Sequence, residues 1–115
     1  MFYMSRIDEI DRNHTKEEMY ELGKEYRDGM NEKVVMPTMA IKYFIKAGER
    51  GHIEAQYDLA FMYENGIGCE IDIEKAIEWY TAATSYNHSE SKKALKRLIN
   101  TAHNKNVNVS GLSEK

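Results

Sequence analysis

A chain of 115 residues, 42% hydrophobic and 30% charged, has the size and balance of one small globular domain. Its formal charge is −3: residues 1–65 carry 9 Lys and Arg against 13 Asp and Glu (−4), and the rest carry 7 against 6 (+1). This balance argues against a nucleic-acid binder, which needs a broad basic face; the single Cys69 excludes a disulfide scaffold; and no apolar run reaches the ~18 residues that a membrane span requires.

The opening stretch MFYMSRIDEIDRN acquires charges at Arg6, Asp8 and Glu9 and lacks the apolar core of a secretory signal. The expected location is therefore the cytosol, unless a leader has been removed. Residues 1–14 form an N-terminal segment in which Ile7 and Ile10, three apart, point to a short helix packed on the first helical unit. From Lys16 to Asp28, Met19, Leu22 and Tyr26 fall on one helical face, and Thr15 with Glu18 gives the T-x-x-E capping pattern. Pro37 suits the first turn of a second helix ending near Arg50, where a missing N–H costs nothing. Its inward residues are Ala40, Tyr43, Phe44 and Ala47, and Gly51 can supply the left-handed residue after it. A third helix covers about Ile53 to Glu64. Asp72 caps a fourth, about Ile73 to Tyr86, with Ala76, Trp79, Tyr80 and Ala83 inward. Asn87 can repeat the left-handed role of Gly51, and Ser89 can cap a fifth helix, SESKKALKRLINTA. The polar tail, 105–115, is expected to be disordered.

These elements repeat. Tyr20, Leu22, Tyr26 and Gly29 match Tyr57, Leu59, Tyr63 and Gly66 at a shift of 37. Ala40, Ile41, Tyr43, Phe44 and Ala47 match Ala76, Ile77, Trp79, Tyr80 and Ala83 at a shift of 36, which continues from His52 to His88 and from Leu59 to Leu95. A repeat of this length marks a stacked array of helix pairs. Two complete units are expected at 15–51 and 52–87, followed by half a unit, 88–104, that caps the end.

The second copy reads A-x-x-x-L-A-x-x-Y-x-x-G-x-G-C-x-x-D-x-x-K-A-x-x-W-Y-x-x-A from Ala55 to Ala83. With its weaker twin it resembles the Sel-1-like repeat, a relative of the tetratricopeptide repeat. The resemblance covers about residues 16 to 101. It implies an all-α fold, an α/α solenoid of about two and a half helix-pair repeats with a C-terminal capping helix. It also implies a scaffold or adaptor role with no shared reaction. Ala60 and Lys96 depart from a usual glycine, and Cys69 from a small apolar residue. One cysteine does not match the branch of the family with paired cysteines.

No catalytic constellation, cofactor motif or metal-ligand spacing is present. His52 and His88 hold equivalent places before helices, which suits capping, and a repeat translation would keep them apart as ligands. Cys69 reads as a small buried hydrophobe. The groove lined by the first helix of each unit is the candidate site: Tyr20, Lys24 and Arg27; Tyr57, Phe61 and Glu64; Lys93, Arg97 and Asn100. Tyr57 and Phe61, four apart, share a face, although Tyr20 and Tyr57 can equally pack between repeats. Aromatics beside Lys24, Lys93 and Arg97 would suit a partner segment with apolar and acidic residues.

The expected function is non-catalytic: an adaptor that binds one protein or peptide in its groove, of a size that fits a bacterial or phage modulator of a larger enzyme. The alternative is a self-associating subunit pairing through Phe2, Tyr3, Met4 and Ile7 at its N-terminal end. No nucleic acid, membrane, metal or cofactor is expected as a partner.

Overall fold

The computed structural model describes residues 13–104, with side chains as far as Thr101. The N-terminal contact expected of Phe2, Tyr3, Met4 and Ile7, and the tail 105–115, lie outside the described residues. Among the described residues five helices follow one another: α1 (Lys16–Asp28), α2 (Pro37–Glu49), α3 (Ile53–Asn65), α4 (Ile73–Thr84) and α5 (Ser89–Asn104). There is no strand among the described residues. Each helix packs on the next, α1 on α2, α2 on α3, α3 on α4 and α4 on α5. This is the stacked all-α solenoid that the repeat implied.

Local chemistry sets the helix ends. Thr15 Oγ1 accepts from Glu18 N at 3.0 Å while the Glu18 carboxylate accepts from Thr15 N at 2.8 Å, a complete capping box. Asp72 Oδ1 accepts from Lys75 N at 3.0 Å. α1 and α3 both stop at left-handed glycines, Gly29 (φ 73°) and Gly66 (φ 69°). Asn87 takes the same conformation (φ 65°) at the turn where the first repeat has Gly51 (φ 92°).

Of the two residues that the sequence offers as caps for α5, the histidine takes the role. His88, not Ser89, accepts the free amide: its Nδ1 lies 3.2 Å from Ser91 N. His52 caps α3 in the same way, its Nδ1 accepting from Ala55 N at 3.1 Å. The imidazole reaches the third amide of the helix as a shorter Asx or Ser side chain does.

The apolar faces meet in two cores. Met19, Ala40, Ile41, Phe44, Ala47, Ala55, Leu59 and Met62 form one; Ala60, Ala76, Ile77, Tyr80, Ala94 and Leu98 form the other. Trp79, only half-buried, packs against both. Leu22 departs from its repeat equivalents. Leu59 is fully buried, but Leu22 is only half-buried and lines an outer groove with His14, Glu17, Glu18, Glu21 and Glu25. The helix before α3 covers Leu59.

Candidate partner-binding groove

The alternation of the solenoid sets α1, α3 and α5 side by side, and polar side chains tie them together. Between α1 and α3, Asp58 accepts from Tyr20 Oη at 2.7 Å and from Arg27 Nη1 at 3.3 Å. Arg27 also holds Asp28 through two bonds of 3.0 Å. Between α3 and α5, Glu64 accepts from both Nη atoms of Arg97 and from Tyr80 Oη at 2.9 Å. His88 Nε2 lies 2.9 Å from Glu54 Oε2. Because His88 Nδ1 accepts a backbone amide, the ring proton sits on Nε2 and is donated to Glu54.

The tyrosines are packing residues as well as groove residues. Tyr20 stacks on the capping His52 at 4.3 Å between ring centres, and Tyr57 lies 5.2 Å from His88 and 5.6 Å from Tyr80. Each repeat thus leans its first tyrosine on the histidine that opens the next. Burial raises the Tyr20 hydroxyl above the usual phenol value, and its bond to Asp58 adds to the effect. Burial also raises the Asp58 carboxyl, while Tyr20 and Arg27 pull it back down. A carboxylate at a hidden position is retained here because it has two donors.

Within this network lies an open depression of about 440 Å³ lined by Arg27, Asp28, Tyr57, Asp58, Phe61, Met62 and Ile67. Phe61 is its most exposed apolar side chain, 46% accessible. Of the residues singled out in the sequence, Arg27, Tyr57 and Phe61 come together in this depression. Tyr20 borders it through Asp58, and Glu64 and Arg97 pair one helix further on. Lys24 lies over the Tyr20 ring at 4.9 Å and pairs with Glu21 at 3.4 Å. Lys93 and Asn100 are exposed on α5, away from the depression.

Two features were missed. Asp58, Met62 and Ile67 line the depression without having been singled out; the acid between Tyr57 and Leu59, two core-forming positions, was the available signal for Asp58. The charge of the groove also differs from expectation. Arg27 and Arg97 are paired with Asp28, Asp58 and Glu64, two cations against three carboxylates, so the depression offers an apolar floor beside a rim whose arginines are already engaged.

Cys69, expected to be a small buried hydrophobe, is half-buried. Cys69 Sγ lies 3.7 Å from the carbonyls of Met62 and Ile67, and burial raises its thiol above the ordinary range, away from the reactive thiolate. Among the described residues no three His, Cys, Asp or Glu converge as a metal site. No described helix is long and apolar enough to cross a membrane.

The family model for the Sel1 repeat matches residues 19–52 and 53–85. The chain is 30% identical to the chitin synthase regulator SKT5 of Saccharomyces cerevisiae, over 64% of this chain and 12% of that protein. It superposes on the crystal structure of a Sel1 repeat protein from Oxalobacter formigenes with a TM-score of 0.72 and 29% identity, covering 80% of this chain and 26% of that one. The chain therefore spans only a small part of the length of either relative.

Proposed function

This chain belongs to the Sel1 repeat family, and on that premise we propose that it is a non-catalytic adaptor whose groove, centred on Phe61, receives a segment of another protein. Sel1 repeats generally mediate protein–protein interaction, and the fold is built for it, with a rigid array presenting one face. The observation that carries the reading is the depression itself. An aromatic left 46% accessible shares the depression with Arg27, Asp28 and Asp58, which are hydrogen-bonded to one another through the Arg27 guanidinium. Such an arrangement favours an apolar anchor from the partner, held in a pocket whose rim is already ordered. Lys93 and Asn100, exposed along α5, extend the surface that the partner's flanking residues would meet.

The partner would be a larger protein, with the chain acting as its modulator or as a link to another component. The name of the yeast relative, a regulator of chitin synthase, supports the modulator reading by analogy. The mechanism is occupancy and positioning.

Affinity capture with the wild-type chain beside Phe61→Asp tests this. The wild-type should retain a discrete partner that the variant loses, while both keep the same helical circular dichroism. Recovery of the same proteins by both would remove the groove from the account.

A further inference from the structure

The depression around Phe61 sits where two helices end. α1 stops at Asp28 and α3 at Asn65, and the lining residues Arg27, Asp28, Phe61, Met62 and Ile67 lie close to those two ends. As the first helices of successive repeats, α1 and α3 run in the same direction. Both therefore bring the negative end of their backbone dipoles to this place, which favours a cation. The side chains act the same way. Among the lining residues one cation, Arg27, stands against two carboxylates, Asp28 and Asp58. Each of the three Arg27 nitrogens already donates to one of them: Nε and Nη2 to Asp28 at 3.0 Å, and Nη1 to Asp58 at 3.3 Å. Lys24, the next cation back along α1, is paired with Glu21, and Arg97 with Glu64.

Asp28 is the carboxylate within a partner's reach. Its side chain is 45% accessible, against 18% for Asp58. Each of its oxygens accepts a bond from Arg27, and a carboxylate has capacity for further donors. The bond from the Arg27 guanidinium holds its carboxyl below the usual range, so it is ionised at neutral pH. Beside it the floor is apolar and partly aromatic, made by Tyr57, Phe61, Met62 and Ile67. The volume, about 440 Å³, suits a few side chains of an extended segment rather than a folded surface.

We propose that the protein segment received by this groove is basic: an apolar side chain rests on Phe61 while a neighbouring lysine or arginine bonds Asp28. This rests on the groove reading above and gives the partner a chemistry. The sign is opposite to the one that Lys24, Lys93 and Arg97 suggest in the sequence. Lys24 and Arg97 are paired with carboxylates, and Lys93 lies away from the depression. An acidic segment would bring another negative charge to a place that already holds one carboxylate in excess and two helix C-termini. Lysine and arginine suit both halves of the site, because the stem covers apolar surface while the head stays among polar groups. An aromatic face adds to the attraction for the cation. Asp28 is half-exposed, so the charge pair supplies a modest share of the affinity and the apolar contact the larger one.

Short random peptides displayed on phage and selected against the immobilised full chain test this, with Phe61→Ala run in parallel. Peptides that bind the wild-type and not Phe61→Ala should carry Lys or Arg beside an aliphatic or aromatic residue. One such peptide, synthesised and titrated against the wild-type, should weaken about two- to fivefold when its basic residue is changed to Gln. Asp28→Asn, with unchanged helicity, should cause a similar loss, and the two changes together should cost little more than either alone. Asp28→Glu, which keeps the charge, should retain the preference for a basic peptide. Phe61-dependent peptides that are acidic or uncharged would overturn this inference and leave the groove reading standing, as would losses that simply add in the double change. The absence of any Phe61-dependent peptide would overturn both.

Discussion

Two residues show how closely each position is constrained. Gly23 is buried in α1 beneath Phe44, and a Cβ there would meet the Phe44 ring at 2.5 Å. The equivalent position in the second repeat is Ala60, beneath the equivalent aromatic Tyr80. Gly23→Ala should destabilise by about 1–3 kcal/mol through overpacking of a ring that has no free side to move into. Ala60→Gly should cost only about 1 kcal/mol, the helix-propensity difference. Thermal melts of both variants check the contrast; a Gly23→Ala variant more stable than wild-type would show that the ring yields. His52 provides a second test. Burial lowers its basicity, and protonating Nδ1 would destroy the cap that it accepts from Ala55. A folded value below the unfolded one means that its contribution to stability is complete above about pH 6.5 and is lost as pH falls through the folded value. His52→Asn, which caps without titrating, should show a smaller loss of melting temperature between about pH 7.5 and 5.5 than the wild-type. Equal losses would exclude His52 as the source.

At the scale of elements, α3 is the central member. It contributes Ala55, Leu59 and Met62 to one core and Ala60 to the other, and its polar side chains reach both α1 and α5. In a nearest-neighbour array the interior helices hold the most stability. Amide exchange should be slowest in α3 and α4 and faster in α5, which packs mainly on α4; slowest exchange in α5 would contradict the nearest-neighbour picture. All five helices were legible in the sequence because period, caps and glycines agreed at each end. Thr15, Pro37 and Asp72 mark starts; Gly29, Gly66 and Asn87 mark ends. For α5 the sequence offers both His88 and Ser89, and the recurrence of His52 as His88 is the signal for the cap that is used. The groove was legible only as a helical phase. That phase placed Arg27, Tyr57 and Phe61 together, but it does not reveal that Asp58 and Glu64 neutralise the arginines, because those contacts join residues more than thirty apart.

The described helices form a short stacked array. The face of α1, α3 and α5 holds a depression with an apolar floor. Because both arginines of the groove are already paired with carboxylates, capture of the partner should depend weakly on salt, and Arg97→Ala should reduce it less than Phe61→Asp does; the reverse order in quantitative pulldowns would indicate charge recognition. The most direct test of the central claim places a photo-cross-linking amino acid at position 61, in the groove, and at position 42, exposed on α2. Irradiation in cells that contain the partner should yield one discrete higher-mass adduct from position 61 and none from position 42. The absence of an adduct at 61, or the same adduct from both positions, would contradict the account.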